Sequence, residues 1–140
     1  MNIKLTVLRI GSGLFGLIAL ITGAKMIYQG ASGKLGEAAV AVANAGVLPA
    51  FDNDFRFLAA IWLIVGLGLL VGTIFIHTKL DLVQLGLEAI FLGGIVRLLA
   101  FAEFGPLPQF YVPIAVELVF PIILLVILIL HKKSLKAASR

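Results

Sequence analysis

Four long apolar runs, parted by shorter polar or glycine-rich segments, set the plan of the chain: Leu5–Tyr28, Phe55–Ile76, Leu82–Phe101 and Tyr111–Leu130. Each approaches the about 20 residues that a helix needs to cross a hydrocarbon layer about 30 Å thick. The pattern predicts an all-α fold, a transmembrane four-helix antiparallel bundle, with residues 1–140 forming a single transmembrane domain. The first run, with Lys4 ahead of it and Thr22-Gly23-Ala24 near its end, also has the layout of a signal peptide. It is read as a retained span.

The outer loop, Gln29–Phe51, is the one long connection, and connections of that length are often functional or partly helical. Its alanine-rich part, Gly36–Ala45, predicts a short surface helix stopped by Gly46; the alternative is a loosely ordered lid with no role. Glu103–Val112 is stiffened by Pro106 and Pro108, and its Phe104, Phe110 and Tyr111 suit the headgroup level of a membrane. Pro113 fits the first turn of the fourth helix. No internal repeat stands out.

Small residues give the packing. Ser12, Gly16, Ala19 and Gly23 fall on one face of the first span at spacings of four, three and four, which lets helix backbones approach closely. Gly68 and Gly72 stand four apart in the second span, and Gly86, Ile90, Gly93 and Arg97 share a face of the third. Pro121 removes a backbone donor inside the fourth span, which predicts a kink that frees the Glu117 carbonyl.

Composition sharpens this reading. Hydrophobic residues make up 61% of the chain and charged residues 13%, against about 45–50% and about 25% in soluble domains. A domain this small has too much surface to hide such a surplus, so lipid must solvate the rest. The absence of cysteine excludes disulfides, thiolate metal sites and cysteine nucleophiles. The net charge of +4 does not indicate nucleic acid, because the basic residues gather at the ends of the spans. Lys4, Arg9, Lys79, Lys132, Lys133, Lys136 and Arg140 lie at the termini and the second connection. The other side holds Lys25, Lys34 and Arg56, with Arg97 deeper, together with Glu37, Asp52, Asp54 and Glu103. The positive-inside rule then places both termini in the cytoplasm.

Charges inside apolar runs are the informative residues, since each costs at least about 2.5–3.5 kcal/mol at the bilayer centre and therefore seeks a partner. Arg9, Glu88, Arg97 and Glu117 are of this kind, and Arg56 opens the second run. Their depths predict two ion pairs, Arg9 with Glu88 in the inner half and Arg97 with Glu117 in the outer half. Asp52 or Asp54 is a natural N-cap for the second helix. What remains is a candidate ligand-binding cluster in the outer half: Asp52, Asn53, Asp54, Arg56, Arg97, Glu103 and Glu117. Two readings stand beside each other. These charges clamp four short helices in register, or they line a polar pocket under the first loop, where arginine binds an anionic group.

Other chemistries are weaker. Asp52-Asn53-Asp54 lacks the glycine and distal glutamate of a calcium loop, so no metal site is expected. His77 and His131 fall at span ends, too shallow for buried haem ligands, and no cofactor is expected. No catalytic triad, phosphate loop or metalloprotease helix is present.

Leu8-Arg9-Ile10-Gly11, Phe51-Asp52-Asn53-Asp54-Phe55-Arg56-Phe57, Gly93-Gly94-Ile95-Val96-Arg97 and Ala115-Val116-Glu117-Leu118 resemble the bacterial family DUF4345. The likeness extends over nearly the whole chain, and the helical plan is more distantly similar to DoxX-like membrane proteins. The resemblance implies the four-span topology and draws attention to Arg9, Asn53, Arg56, Arg97 and Glu117; it implies no activity. The expected function is a non-enzymatic binding or accessory module that holds a lipid or small amphiphile, with membrane lipids, a larger membrane complex or a second copy of the chain as partners. The alternatives are a proton-coupled carrier acting as an oligomer, and a small isomerase-like intramembrane enzyme using Glu117 or Asp54 as acid or base.

Overall fold

The computed structural model describes residues 3–36, 43, 46–105 and 108–138. Its elements are α1 (Ile3–Leu35), α2 (Leu48–Ile74), α3 (Leu80–Phe104), a single 3-10 turn (Pro108–Phe110) and α4 (Tyr111–Ala138). All four helices are long and apolar enough to cross a membrane. In the most apolar stretch of each, 22% of the residues are buried. Most large apolar side chains therefore point outward, an arrangement that water would penalise and lipid accepts. The fold class is the expected all-α, four-helix membrane bundle.

The chain forms two compact units: Met1–Leu14 with Gly68–Arg140, and Phe15–Leu67. The first contains a turn-by-turn ring of contacts among all four helices. Ser12 and Thr73 share a hydroxyl hydrogen bond of 2.8 Å between α1 and α2, and Ser12 also donates to the Leu8 carbonyl at 2.6 Å. Gly86 of α3 lies against the Leu69 side chain of α2, Gly94 of α3 against Leu118 of α4, and Gly11 of α1 against Leu124 of α4. Leu8, Leu69, Ile76, Val83, Leu87, Ile90 and Leu128 fill its core. Sequence neighbours are thus neighbours in space, as short connections require. Phe75–Lys79 turns α2 into α3, with the Thr78 and Lys79 amides both donating to the Phe75 carbonyl at 2.9 Å. Beside that turn, at the start of α3 and near the end of α4, Lys132 Nζ donates to Asp81 Oδ1 (2.6 Å) and Gln84 Oε1 (2.7 Å).

In the second unit α1 and α2 run antiparallel through a small-residue seam. Gly16 and Ala19 face Gly66, Gly23 faces Leu63, and Trp62 Nε1 donates to Thr22 Oγ1 at 2.9 Å. Ser12, Gly16, Ala19 and Gly23 are all buried, so the face expected from their spacing is the packed one. The corresponding glycines of the other helices shift. In α2 the closest approach falls at Gly66, while Gly68 has open space around it and Gly72 meets Val83. In α3 Gly94, not Gly93, meets α4. The pattern of fours located the stripes, but a helix turns 100° per residue, and the neighbour's position decides which of two adjacent glycines is used.

The helices are longer than the apolar runs. α1 continues seven residues past Tyr28, and α2 begins seven before Phe55, so the expected loop Gln29–Phe51 is helical at both ends. Of the expected helix Gly36–Ala45, residues 37–42, 44 and 45 lie outside the described residues, as does Pro106. Gly46 follows as a turn with φ +74°. Pro113 lies in the first turn of α4, which runs on through a buried Pro121 to Ala138.

Candidate functional site

The polar centre of the second unit is a break in α1. Gly30 has φ +62° and ψ −166°, a region open essentially to glycine alone. Two residues of α2, one helical turn apart, close the break. The Ala31 amide donates to Asp52 Oδ1 at 2.6 Å, Arg56 Nε donates to Asp52 Oδ2 at 2.7 Å, and Arg56 Nη1 donates to the Ile27 carbonyl. A helix break exposes unpaired carbonyls on one side and unpaired N–H groups on the other, with partial negative and positive charge respectively. The guanidinium faces the carbonyl side and the carboxylate faces the amide side, so the ion pair matches both. Asp52 therefore does not cap its own helix, as the sequence suggested. α2 starts at Leu48, which puts Asp52 inside it, and its carboxylate caps the second segment of α1 instead.

Two cavities adjoin the break. One of about 200 Å³ is lined by Thr22, Lys25, Met26, Gln29, Gly30, Gly33 and Lys34. The other, of about 280 Å³, is lined by Ser32, Leu48, Pro49, Asp52 and Arg56. Nothing in the hydrophobic pattern pointed to Gly30, because the apolar run stops at Tyr28 and the following Gln29-Gly30 reads as the start of a loop.

The first unit holds the second polar centre. Arg97 Nε of α3 lies 2.8 Å from Glu117 Oε2 of α4, and the guanidinium carbon sits 5.8 Å from the Phe110 ring centre. Glu117 is 15% exposed and Arg97 45%. Glu117 Oε2 is buried with no well-aligned hydrogen bond, so the contact is one of charge proximity rather than a directed bond. Tyr111 meets Phe101 edge-on at 5.7 Å beside this pair.

The remaining expected residues stand apart. Asn53, Asp54 and Glu103 are exposed. Arg9 and Glu88 do not pair: both are exposed, Gln84 Nε2 donates to Glu88 Oε1 at 2.8 Å, and Arg9 has no ion pair among the described residues. Each follows a fully buried leucine, Leu8 and Leu87, and one step along a helix turns the next side chain outward. Near a span end a long arginine can reach headgroups and needs no protein partner. The seven residues of the expected outer cluster thus divide, Asp52, Asn53, Asp54 and Arg56 in one unit and Arg97, Glu103 and Glu117 in the other.

With this geometry in view, the family described as a domain of unknown function, DUF4345, matches residues 7–128. The chain belongs to the DUF4345 family. The match takes in Gly30, Asp52, Arg56, Arg97 and Glu117, and so both polar centres of this DUF4345 protein. No curated protein and no solved structure matches the chain.

The pair across α3 and α4 gives a first expected result. Glu117→Leu leaves Arg97 without its counter-charge in an apolar span and should destabilise the protein by about 1–2 kcal/mol, between exposed and fully buried pairs. Adding Arg97→Met removes the stranded charge and should recover most of that loss. Denaturation in mixed detergent micelles measures both; additive losses would show that the pair does not couple the helices.

Proposed function

We propose that this DUF4345 protein is a non-catalytic membrane module whose polar site, at the break in α1, holds a lipid or other small amphiphile. The observation that carries the proposal is the clamped break. A glycine-only backbone conformation is kept at Gly30 by Asp52 and Arg56, and cavities of about 200 Å³ and about 280 Å³ open beside it. A continuous helix would satisfy its own backbone without help from α2. The break lies beyond the apolar run, at headgroup level, where its polar groups and the adjoining cavities can take the polar end of a lipid. Placement in a bacterial inner membrane, with both termini in the cytoplasm, belongs to the same proposal. It is supported by the seven basic residues at the termini and the second connection.

Native mass spectrometry of the protein released from lipid nanodiscs tests the reading. Wild type should keep a bound lipid under activation that strips the annular shell, and Asp52→Ala, which removes the Ala31 acceptor and frees Arg56, should lose it. Wild type emerging without lipid would overturn the proposal.

A further inference from the structure

The groove on the α1 side of the break has an unbalanced charge. Lys25 and Lys34 both line it, joined by Gln29 and Thr22 as polar groups, and among the described residues no carboxylate lines it. The nearest carboxylate to Gly30, that of Asp52, is already matched by Arg56 and the Ala31 amide. Two exposed lysines therefore border one small cavity, together with the backbone break at Gly30.

Its depth can be placed from helix geometry. Lys25 stands 22 residues beyond Ile3, about 33 Å along a helix at about 1.5 Å per residue, just past a hydrocarbon layer about 30 Å thick. Tyr28, one turn further, is 87% exposed, as expected of an aromatic at headgroup level. On the hydrocarbon side of Lys25, Ile18 and Ile21 are exposed on the same helix, within one to two turns. The surface of α1 thus runs from an apolar strip to a cationic groove over the length of one lipid's upper acyl chain and headgroup.

We propose that this groove binds an anionic phosphodiester headgroup, with Lys25 and Lys34 holding the phosphate and Ile18 and Ile21 receiving the acyl chain. This rests on the reading above that the break is a lipid site, and adds which lipid it takes. Gly30 and Gly33 both border the groove; the space left by their missing side chains is taken by Asp52 and Arg56 at the first and by Gln29 at the second.

Nanodiscs containing about equal amounts of phosphatidylglycerol and phosphatidylcholine test it, with the retained lipid identified by native mass spectrometry. Each lysine near a membrane surface favours an anionic lipid by about fivefold, so wild type should retain phosphatidylglycerol in about thirtyfold preference. Lys25→Gln with Lys34→Gln should abolish the preference, while Lys25→Arg with Lys34→Arg keeps it. Both residues are exposed, and an unchanged helical circular dichroism spectrum shows that the variants fold. Lipid retained without preference, or a preference that survives the glutamine variant, would overturn the headgroup assignment and leave the lipid-binding reading standing. No retained lipid would remove both. Displacement of the bound lipid by water-soluble glycerol phosphate would overturn the lipid as source, with free phosphate then the ligand of the groove.

Discussion

Gly66→Ala should destabilise the protein by about 3 kcal/mol, at the top of the usual range for an overfilled core. A methyl group at Gly66 would lie 2.6 Å from the Leu20 nitrogen, 2.9 Å from the Gly16 oxygen and 3.0 Å from the Ala19 carbonyl carbon. All three are backbone atoms, so no rotamer change relieves the overlap, and α1 and α2 must separate. Separation also strains the Gly23–Leu63 contact and the Trp62–Thr22 hydrogen bond on the same seam. Close approach of this kind is the chief source of helix association in lipid, where apolar burial offers no gain. The control is Gly68→Ala, where the added carbon meets nothing within 4 Å. That change should be neutral or stabilise by up to about 1 kcal/mol, since alanine is the better helix former. Unfolding titrations in mixed micelles compare the two; equal effects would refute the seam as the site of closest packing.

Gly30→Ala is the second large effect, with an expected loss of about 2–3 kcal/mol. The backbone conformation at Gly30 costs of order 1–3 kcal/mol for any residue with a Cβ. The new methyl would also run into the Asp52 carboxylate and the Arg56 guanidinium, which occupy the space that glycine leaves open. Either the break closes into regular helix or the ion pair moves away. In both cases the Ala31 amide loses Asp52 as acceptor. The variant should show faster hydrogen exchange at Ala31 and weaker lipid retention, together with the lower stability. Normal protection of Ala31 in the variant would show that the clamp does not depend on glycine at this position.

These two glycines show where a hydrophobic pattern is informative and where it is silent. The apolar runs are dense enough to mark four spans, because lipid asks for about 20 apolar residues whatever the tertiary arrangement. The burial cost of a charge led to Arg97 and Glu117, which the structure brings to 2.8 Å. The same reasoning joined Arg9 to Glu88, where the side chains point outward; depth along a helix was legible, but the direction of the side chain around it was not. Asp52 and Arg56 were visible as charges in a polar segment, yet their role depends on a break in another helix 22 residues earlier. Gly30 had no signal of its own, since one glycine beside a glutamine reads as loop.

What the sequence determined by itself is the class: an all-α membrane protein with four spans, and a small-residue face on the first helix through Ser12, Gly16, Ala19 and Gly23. These follow from the solvent and from helical periodicity, which act locally along the chain. The tertiary structure alone decided which glycine takes the neighbouring backbone, that Asp52 and Arg56 meet at the break, and that Arg9 and Glu88 stay apart. It also turned the polar edge of the first span into a broken helix held by Asp52 and Arg56. The physical reason is that close packing and ion pairing depend on rotation and register between helices, and a shift of one residue, about 100° of turn, sends a side chain to a different neighbour.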